Sequence, residues 1–182
     1  MATPLGLDKT YFKNTISLPK SDYDNIESFM TQFEKEVLTY LLGYELYTLM
    51  IAGKAEAPYK NLVEGVEYSI EHSGQTRKVK WNGLKNSDLI SLIAYYTYIE
   101  YIRDGVTSTQ QNGEVLSVQE NSKGANIFAK IMSAQTRFEE LYGYEYQDEL
   151  IPSAYNFLTE HEDLYPTWIF TSLKGNINSH DL

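Results

Sequence analysis

This sequence predicts a mainly α-helical domain: a small bundle of four to five helices, one β-hairpin at about residues 66–81, and a protruding loop or second hairpin at about residues 106–120. Three observations lead there. Apolar residues recur at helical spacing over most of the chain. That spacing gives way to strict alternation in VEYSIEHSGQTRKVKW, residues 66–81. Finally, DLISLIAYYTYIEYI, residues 88–102, is apolar or aromatic on nearly every face it has as a helix. At about 100° per residue, Leu92, Ile93, Ile99 and Ile102 fill a broad sector, and Tyr95, Tyr96, Tyr98 and Tyr101 fall around the rest. Such a helix needs partners on several sides, so it is either the centre of a bundle or shared with a neighbouring subunit.

The elements follow in order. An extended lead ends at Leu18-Pro19, and Ser21 or Asp22 caps a helix that buries Ile26, Phe29, Met30, Phe33, Val37, Leu41 and Leu42 and stops at Gly43. Tyr44 to Ile51 reads as a short second helix bounded by Gly53, with Leu46, Leu49 and Met50 inward. Residues 53–65, with Pro58 inside, read as a loop or a broken turn. In the hairpin, Gly74-Gln75 is the expected turn, which sets Ile70 opposite Val79, Tyr68 opposite Trp81, and Glu71 opposite Lys78. Its Tyr68, Ile70, Val79 and Trp81 face must pack on the helices or on another chain, because a lone hairpin is marginal.

Asn82-Gly83 breaks the second strand, Ser87 caps the tyrosine-rich helix, and Gly105 ends it. VTSTQQNGEVLSVQENSKG, residues 106–124, is polar and centred on Asn112-Gly113, a hairpin turn signal. Helical spacing returns from about Asn126 to Tyr142, with Ile127, Ile131, Ala134, Phe138, Leu141 and Tyr142 on one face and Gly143 as the stop. A short helix runs from Pro152 to about Glu160. One domain spans residues 1–170, and 171–182 form a flexible tail with little to pack.

Composition narrows the function classes. At 42% hydrophobic and 14% aromatic the chain is a folding one, and its longest apolar runs are too short to cross a bilayer. The N-terminus lacks the basic segment and apolar core of a secretory signal, so synthesis in a cytoplasm with no membrane partner is expected. There are no cysteines, which excludes disulfides and thiolate chemistry. A formal net charge of −10 repels a phosphate backbone on average and argues against sequence-reading nucleic-acid binding.

No motif supplies chemistry. His72, His161 and His180 form no HxxxH or HExxH pairing. Glu139-Glu140, Glu145, Asp148, Glu149, Glu160, Glu162 and Asp163 are the carboxylates from which an acid pair or calcium site would be drawn, but they sit at helix ends and polar faces without a DxDxDG loop. GxxxxGK[ST], GxGxxG and GxSxG are all absent. Arg77, Lys78 and Lys80 are a small basic group, explained equally by pairing across the hairpin with Glu67 and Glu71. Tyr11, Phe12, Tyr40, Tyr44 and Tyr47 have the ring chemistry to stack on bases or sugars, though such spacing more often marks core or interface. The expectation is a non-enzyme with no cofactor and no metal.

Taken in order, LTYLLGYELY (38–47), KWNGLKNSDLISLIAYYTYIEYIRDG (80–105), TSTQQNGEV (107–115) and QENSKGANI (119–127) resemble head-tail connector, or neck adaptor, proteins of tailed double-stranded DNA phages, particularly versions from Bacteroides-type phages and prophages. The resemblance spans roughly Phe29 to Phe157. It implies a helical virion protein of the phage neck that forms a homo-oligomeric ring under the portal protein, extends the DNA channel and docks the tail. The hairpin and the polar tail are larger than a minimal four-helix connector needs. On this basis Tyr95, Tyr98 and Tyr101 of the tyrosine-rich helix, with Thr107, Thr109, Asn112, Gly113 and Val115 of the polar arm, are the candidate oligomer or partner interface. Two other readings are a small bacterial protein-protein interaction module and a tail-completion protein. A hydrolase built on the carboxylates near 139–149 is a third.

Overall fold

The computed structural model describes residues 3–18, 23–85, 88–110, 113–116, 127–143 and 152–173. Among them are six α-helices and two separate two-stranded antiparallel sheets, so the mainly helical class with a hairpin holds. Helix α1, Tyr23–Leu42, buries Ile26, Met30, Val37, Leu38, Leu41 and Leu42, a stripe at three- and four-residue steps. Its expected caps, Ser21 and Asp22, lie outside the described residues. Gly43 follows at φ +78, a left-handed conformation that glycine takes without penalty, and the chain re-enters a helix at once.

Helix α2, Tyr44–Gly53, buries Leu46, Tyr47 and Met50. Leu49 was expected inside but is 41% exposed. The buried arc swings the other way, toward Tyr47, whose ring offers more apolar area than Leu49. The stretch expected to be a loop contains α3, Tyr59–Glu64, one turn of helix that follows Pro58 and buries Leu62 and Val63.

Strands β1, Val66–His72, and β2, Gln75–Trp81, form the first hairpin. Their register corrects the expected one: Tyr68 lies opposite Val79, Ile70 opposite Arg77, Val66 opposite Trp81 and Glu71 opposite Thr76. The turn is Ser73-Gly74, at φ +53 and +74, rather than Gly74-Gln75. Positive φ at both central residues is the turn whose twist matches that of the strands. The register slips by two residues, so every side chain keeps its face. Ile70, Val79 and Trp81 are buried, while Glu67, Ser69, Glu71, Thr76, Lys78 and Lys80 are exposed. Trp81 stacks on Phe157 at 5.4 Å and donates its indole N–H to the Leu62 carbonyl at 3.0 Å.

Helix α4, Leu92–Val106, starts later than expected. Ser91 caps it through its hydroxyl, which accepts the Ile93 N–H at 3.2 Å. Gly105 does not end it, because the helix runs on to Val106. Leu92, Ile93, Ala94, Tyr96, Thr97, Tyr98 and Ile99 are all buried, so α4 is the centre of the bundle. It lies between α1 and α5, Ile127–Tyr142. Rings join the three: Phe29 meets Tyr101 edge-on at 5.3 Å, Phe33 meets Tyr96 at 5.7 Å, and Tyr96 meets Phe138 at 5.5 Å.

Helix α5 buries Ile131, Ala134, Phe138 and Tyr142, with Leu141 half-buried. Gly143 ends it at φ +86, where a Cβ would meet the Ser153 hydroxyl at 1.8 Å. Ser153 in turn caps α6, Ala154–Glu160, by accepting the Asn156 N–H at 3.1 Å. The helix thus begins after Ser153 rather than at Pro152.

Both termini depart from expectation. The lead is not merely extended: it holds two 3-10 turns, Lys9–Tyr11 and Asn14–Ile16, and buries Leu5, Leu7, Tyr11, Phe12, Ile16 and Leu18. Nor is the segment after Trp168 loose as far as Leu173. Ile169 N–H donates to Leu42, Thr171 N–H to Tyr40, and Leu173 is buried. Residues 174–182, the rest of the expected tail, lie outside the described residues.

Candidate assembly surfaces

The tyrosines expected at an interface are not all at the surface. Tyr98 is 3% exposed and is already covered by its own chain. Tyr95 is half-buried beside Thr15, Ser133 and Thr136, where they line an open cleft of about 350 Å³ bounded by Arg137 and Glu140. Tyr101 is half-buried against Phe29. Thr107 begins β3, Thr107–Gln110, which pairs with β4, Gly113–Leu116, and continues directly from α4. Thr107 lies opposite Leu116, Thr109 opposite Glu114, and Val115 opposite Ser108. The second hairpin therefore forms, with Gln110 opposite Gly113. That register leaves Gln111 and Asn112, rather than Asn112-Gly113, between the strands, and these two lie outside the described residues.

The exposed surface offers two other kinds of contact. One is apolar. Tyr44 is 68% and Ile169 66% exposed, and both flank Gly43, where an added Cβ would meet Ile169 at 3.2 Å. Tyr11, Phe12 and Tyr47 are core residues, leaving Tyr44 as the most exposed of the five rings considered for stacking. The other kind is backbone. Across the two-residue turn, His72 and Gln75 form a bonded pair, so by alternation Glu71 with Thr76, Ser69 with Lys78, and Glu67 with Lys80 are the non-bonded pairs. Those six residues turn their N–H and C=O groups outward to two edges that no other described strand covers. The Thr76 hydroxyl donates to Glu71 at 2.5 Å, which replaces the Glu71–Lys78 contact expected from sequence.

One charged group is placed inside. Glu34 of α1 is fully buried, accepts the Leu5 N–H at 3.0 Å, and has no hydrogen-bond partner for its second carboxylate oxygen among the described residues. Burial pushes its carboxyl above the ordinary value, against the opposing pull of the Thr3 and Leu5 donors and of Lys54 and Lys85. The two lysines also donate to the strap over it, Lys54 to the Pro4 carbonyl and Lys85 to that of Leu5 at 3.3 Å. The signal was in the sequence: Glu34 stands four residues after Met30 and four before Leu38, on the buried stripe.

Among the described residues, the carboxylates and histidines singled out in the sequence do not converge. Glu139 accepts from Gln135 at 3.1 Å, Glu140 pairs with Arg137 at 2.5 Å, and Glu160, Glu162 and Asp163 are exposed. Glu145, Asp148, Glu149 and His180 lie outside the described residues. His161 sits with Nδ1 2.9 Å from the Phe157 carbonyl and its ring over Tyr68. Among the described residues no cluster of three or more histidines or carboxylates is arranged to hold a metal ion. None of the described helices is long and apolar enough to cross a membrane. Compared with known proteins, the chain matches no family model, no curated protein and no solved structure.

Proposed function

We propose that this chain is a virion structural protein of the phage neck, a head-tail connector that forms a ring under the portal, extends the DNA channel and gives the tail a docking surface. The observation that carries this reading is the ordered resemblance of residues 38–47, 80–105, 107–115 and 119–127 to such connectors. The architecture supports it: a helical body bears two hairpins whose outer edges pair with no other strand among the described residues. Net charge −10 suits a channel wall along which DNA slides without sticking. In this reading the portal and tail proteins are the partners, the protein is made in the host cytoplasm, and it acts by assembly rather than catalysis.

The deciding experiment mixes the purified protein with portal rings from the same phage and follows co-sedimentation and electron microscopy. A discrete collar of density on the portal is the expected result. Failure to bind any portal, with the protein folded, overturns the reading. The exposed pair Tyr44 and Ile169 favours the second reading, an interaction module, and that reading predicts a stable monomer with no affinity for portal rings.

A further inference from the structure

We infer that the β1–β2 hairpin is the joint between neighbouring subunits: the outer edge of β2 in one copy pairs, antiparallel, with the outer edge of β1 in the next. This deepens the ring reading and rests on it. Helix α4, the element whose composition most suggests a shared interface, has its apolar faces covered by its own bundle. What the hairpin leaves unpaired is backbone. Three residues on each edge, Glu67, Ser69 and Glu71 on β1 and Thr76, Lys78 and Lys80 on β2, point their N–H and C=O groups outward while their side chains stand exposed.

The two edges differ in charge, and that difference selects the occupant. The β1 edge carries two glutamates and no cation; the β2 edge carries two lysines and no carboxylate. Lysine on a strand edge normally repels pairing with another chain. Here each edge repels a copy of itself and attracts the other edge, so like-to-like pairing is disfavoured and head-to-tail pairing is favoured. A second copy of this chain always carries the complementary edge.

Geometry fixes the rest. Because β1 and β2 run in opposite directions, copies related by rotation about one axis bring β2 of one against β1 of the next in antiparallel sense. The contact is heterologous, so it propagates around an axis and closes into a ring when the rotation divides the circle. The inner face of the hairpin stays on its own core through Trp81 and Tyr68, so the joint adds strands at the side and leaves the bundle undisturbed.

The test uses the full chain and reads mass by light scattering across a concentration series, with melting curves to confirm folding. Wild type is expected to form a discrete oligomer. Glu67→Lys with Glu71→Lys, and separately Lys78→Glu with Lys80→Glu, are each expected to weaken association by about tenfold or more. An equimolar mixture of the two variants restores complementary edges in alternation, and the four-site swap restores them within one chain; both are expected to assemble like wild type. Ser69→Pro removes an outward donor without touching the ladder inside the hairpin, and is expected to weaken assembly while the monomer still melts cooperatively.

If wild type assembles and the charge swaps assemble equally well, or the four-site swap fails to recover, the joint is wrong while the ring stands. A wild type that stays monomeric at every concentration also overturns the joint. Portal binding then decides the connector reading on its own.

Discussion

Helix α4 holds the densest run of apolar and aromatic side chains in the chain, whereas residues 3–18 and 168–173 carry theirs at irregular intervals; both nonetheless contribute to the core, the second through Leu173 and the half-buried Trp168 and Phe170. Composition left α4 as either the centre of a bundle or an element shared with a neighbouring subunit, and offered no helical or strand period for the ends. The first alternative holds for α4, which packs against both α1 and α5, and the two end segments add to the same core. Leu7, Tyr11, Phe12 and Ile16 seal one region, and Phe170 reaches Tyr142 at 5.5 Å and Tyr155 at 4.8 Å in another. Apolar density therefore reports burial, but does not say whether the cover comes from the same chain or from another.

The comparison can be broken most severely by removing an end. Deleting residues 1–18 strips six large buried side chains, Leu5, Leu7, Tyr11, Phe12, Ile16 and Leu18, each worth about 1.5–3 kcal/mol, which together rival the whole stability of a domain this size. Loss of a cooperative melting transition is expected, and a truncated chain that melts like wild type refutes the packed-terminus description. Tyr98→Asp comes next. It buries a charge at a position 3% exposed, so unfolding by more than about 3 kcal/mol is expected in denaturant titration, before any effect on assembly can be read. Ile99→Ala, at 1% exposure on the same helix, is expected to cost about 2–4 kcal/mol.

Smaller changes sharpen the picture. Trp168→Phe removes only the indole donor to Leu41, 2.8 Å away, and is expected to cost about 1 kcal/mol by the same titration. Glu34→Gln tests the buried carboxyl under the N-terminal strap. With its folded pKa raised above the ordinary 4.5 by burial, the native state holds the proton more tightly than the unfolded chain. Its stabilising contribution is present in full below that value and is lost as pH rises through the folded pKa. The substitution is expected to flatten the fall in melting temperature on the alkaline side of 4.5, and an unchanged slope assigns that fall to other groups.

Much of the fold was legible, and the reasons are specific. Gly43 and Gly143 mark real helix ends because each takes a positive φ at a place where a neighbour crowds in. The faces of the first hairpin were readable although its register was not, since moving the turn by one residue, from Gly74-Gln75 to Ser73-Gly74, shifts the register by two and keeps the same alternation. The ends of the chain were opaque because 3-10 turns and extended segments have no period to detect. Glu34 was readable from its spacing but was masked by its charge. The assembly surface was least legible: an unpaired strand edge is a property of backbone groups, which every residue carries, so only the charge difference between the edges is written in the side chains.

The end of α1 ties folding to the order of synthesis. Its last four carbonyls are taken by the Gly43 N–H, the Thr171 N–H, the Trp168 indole and the Ile169 N–H, so three of the four partners come from the far end of the molecule. Trp168 is 127 residues beyond the carbonyl that it caps. A nascent chain therefore leaves the ribosome with its first long helix unfinished, and that helix is completed only after the final strap is released. A chain that stops before Trp168 lacks three of the four donors that close α1 and cannot reach the finished bundle.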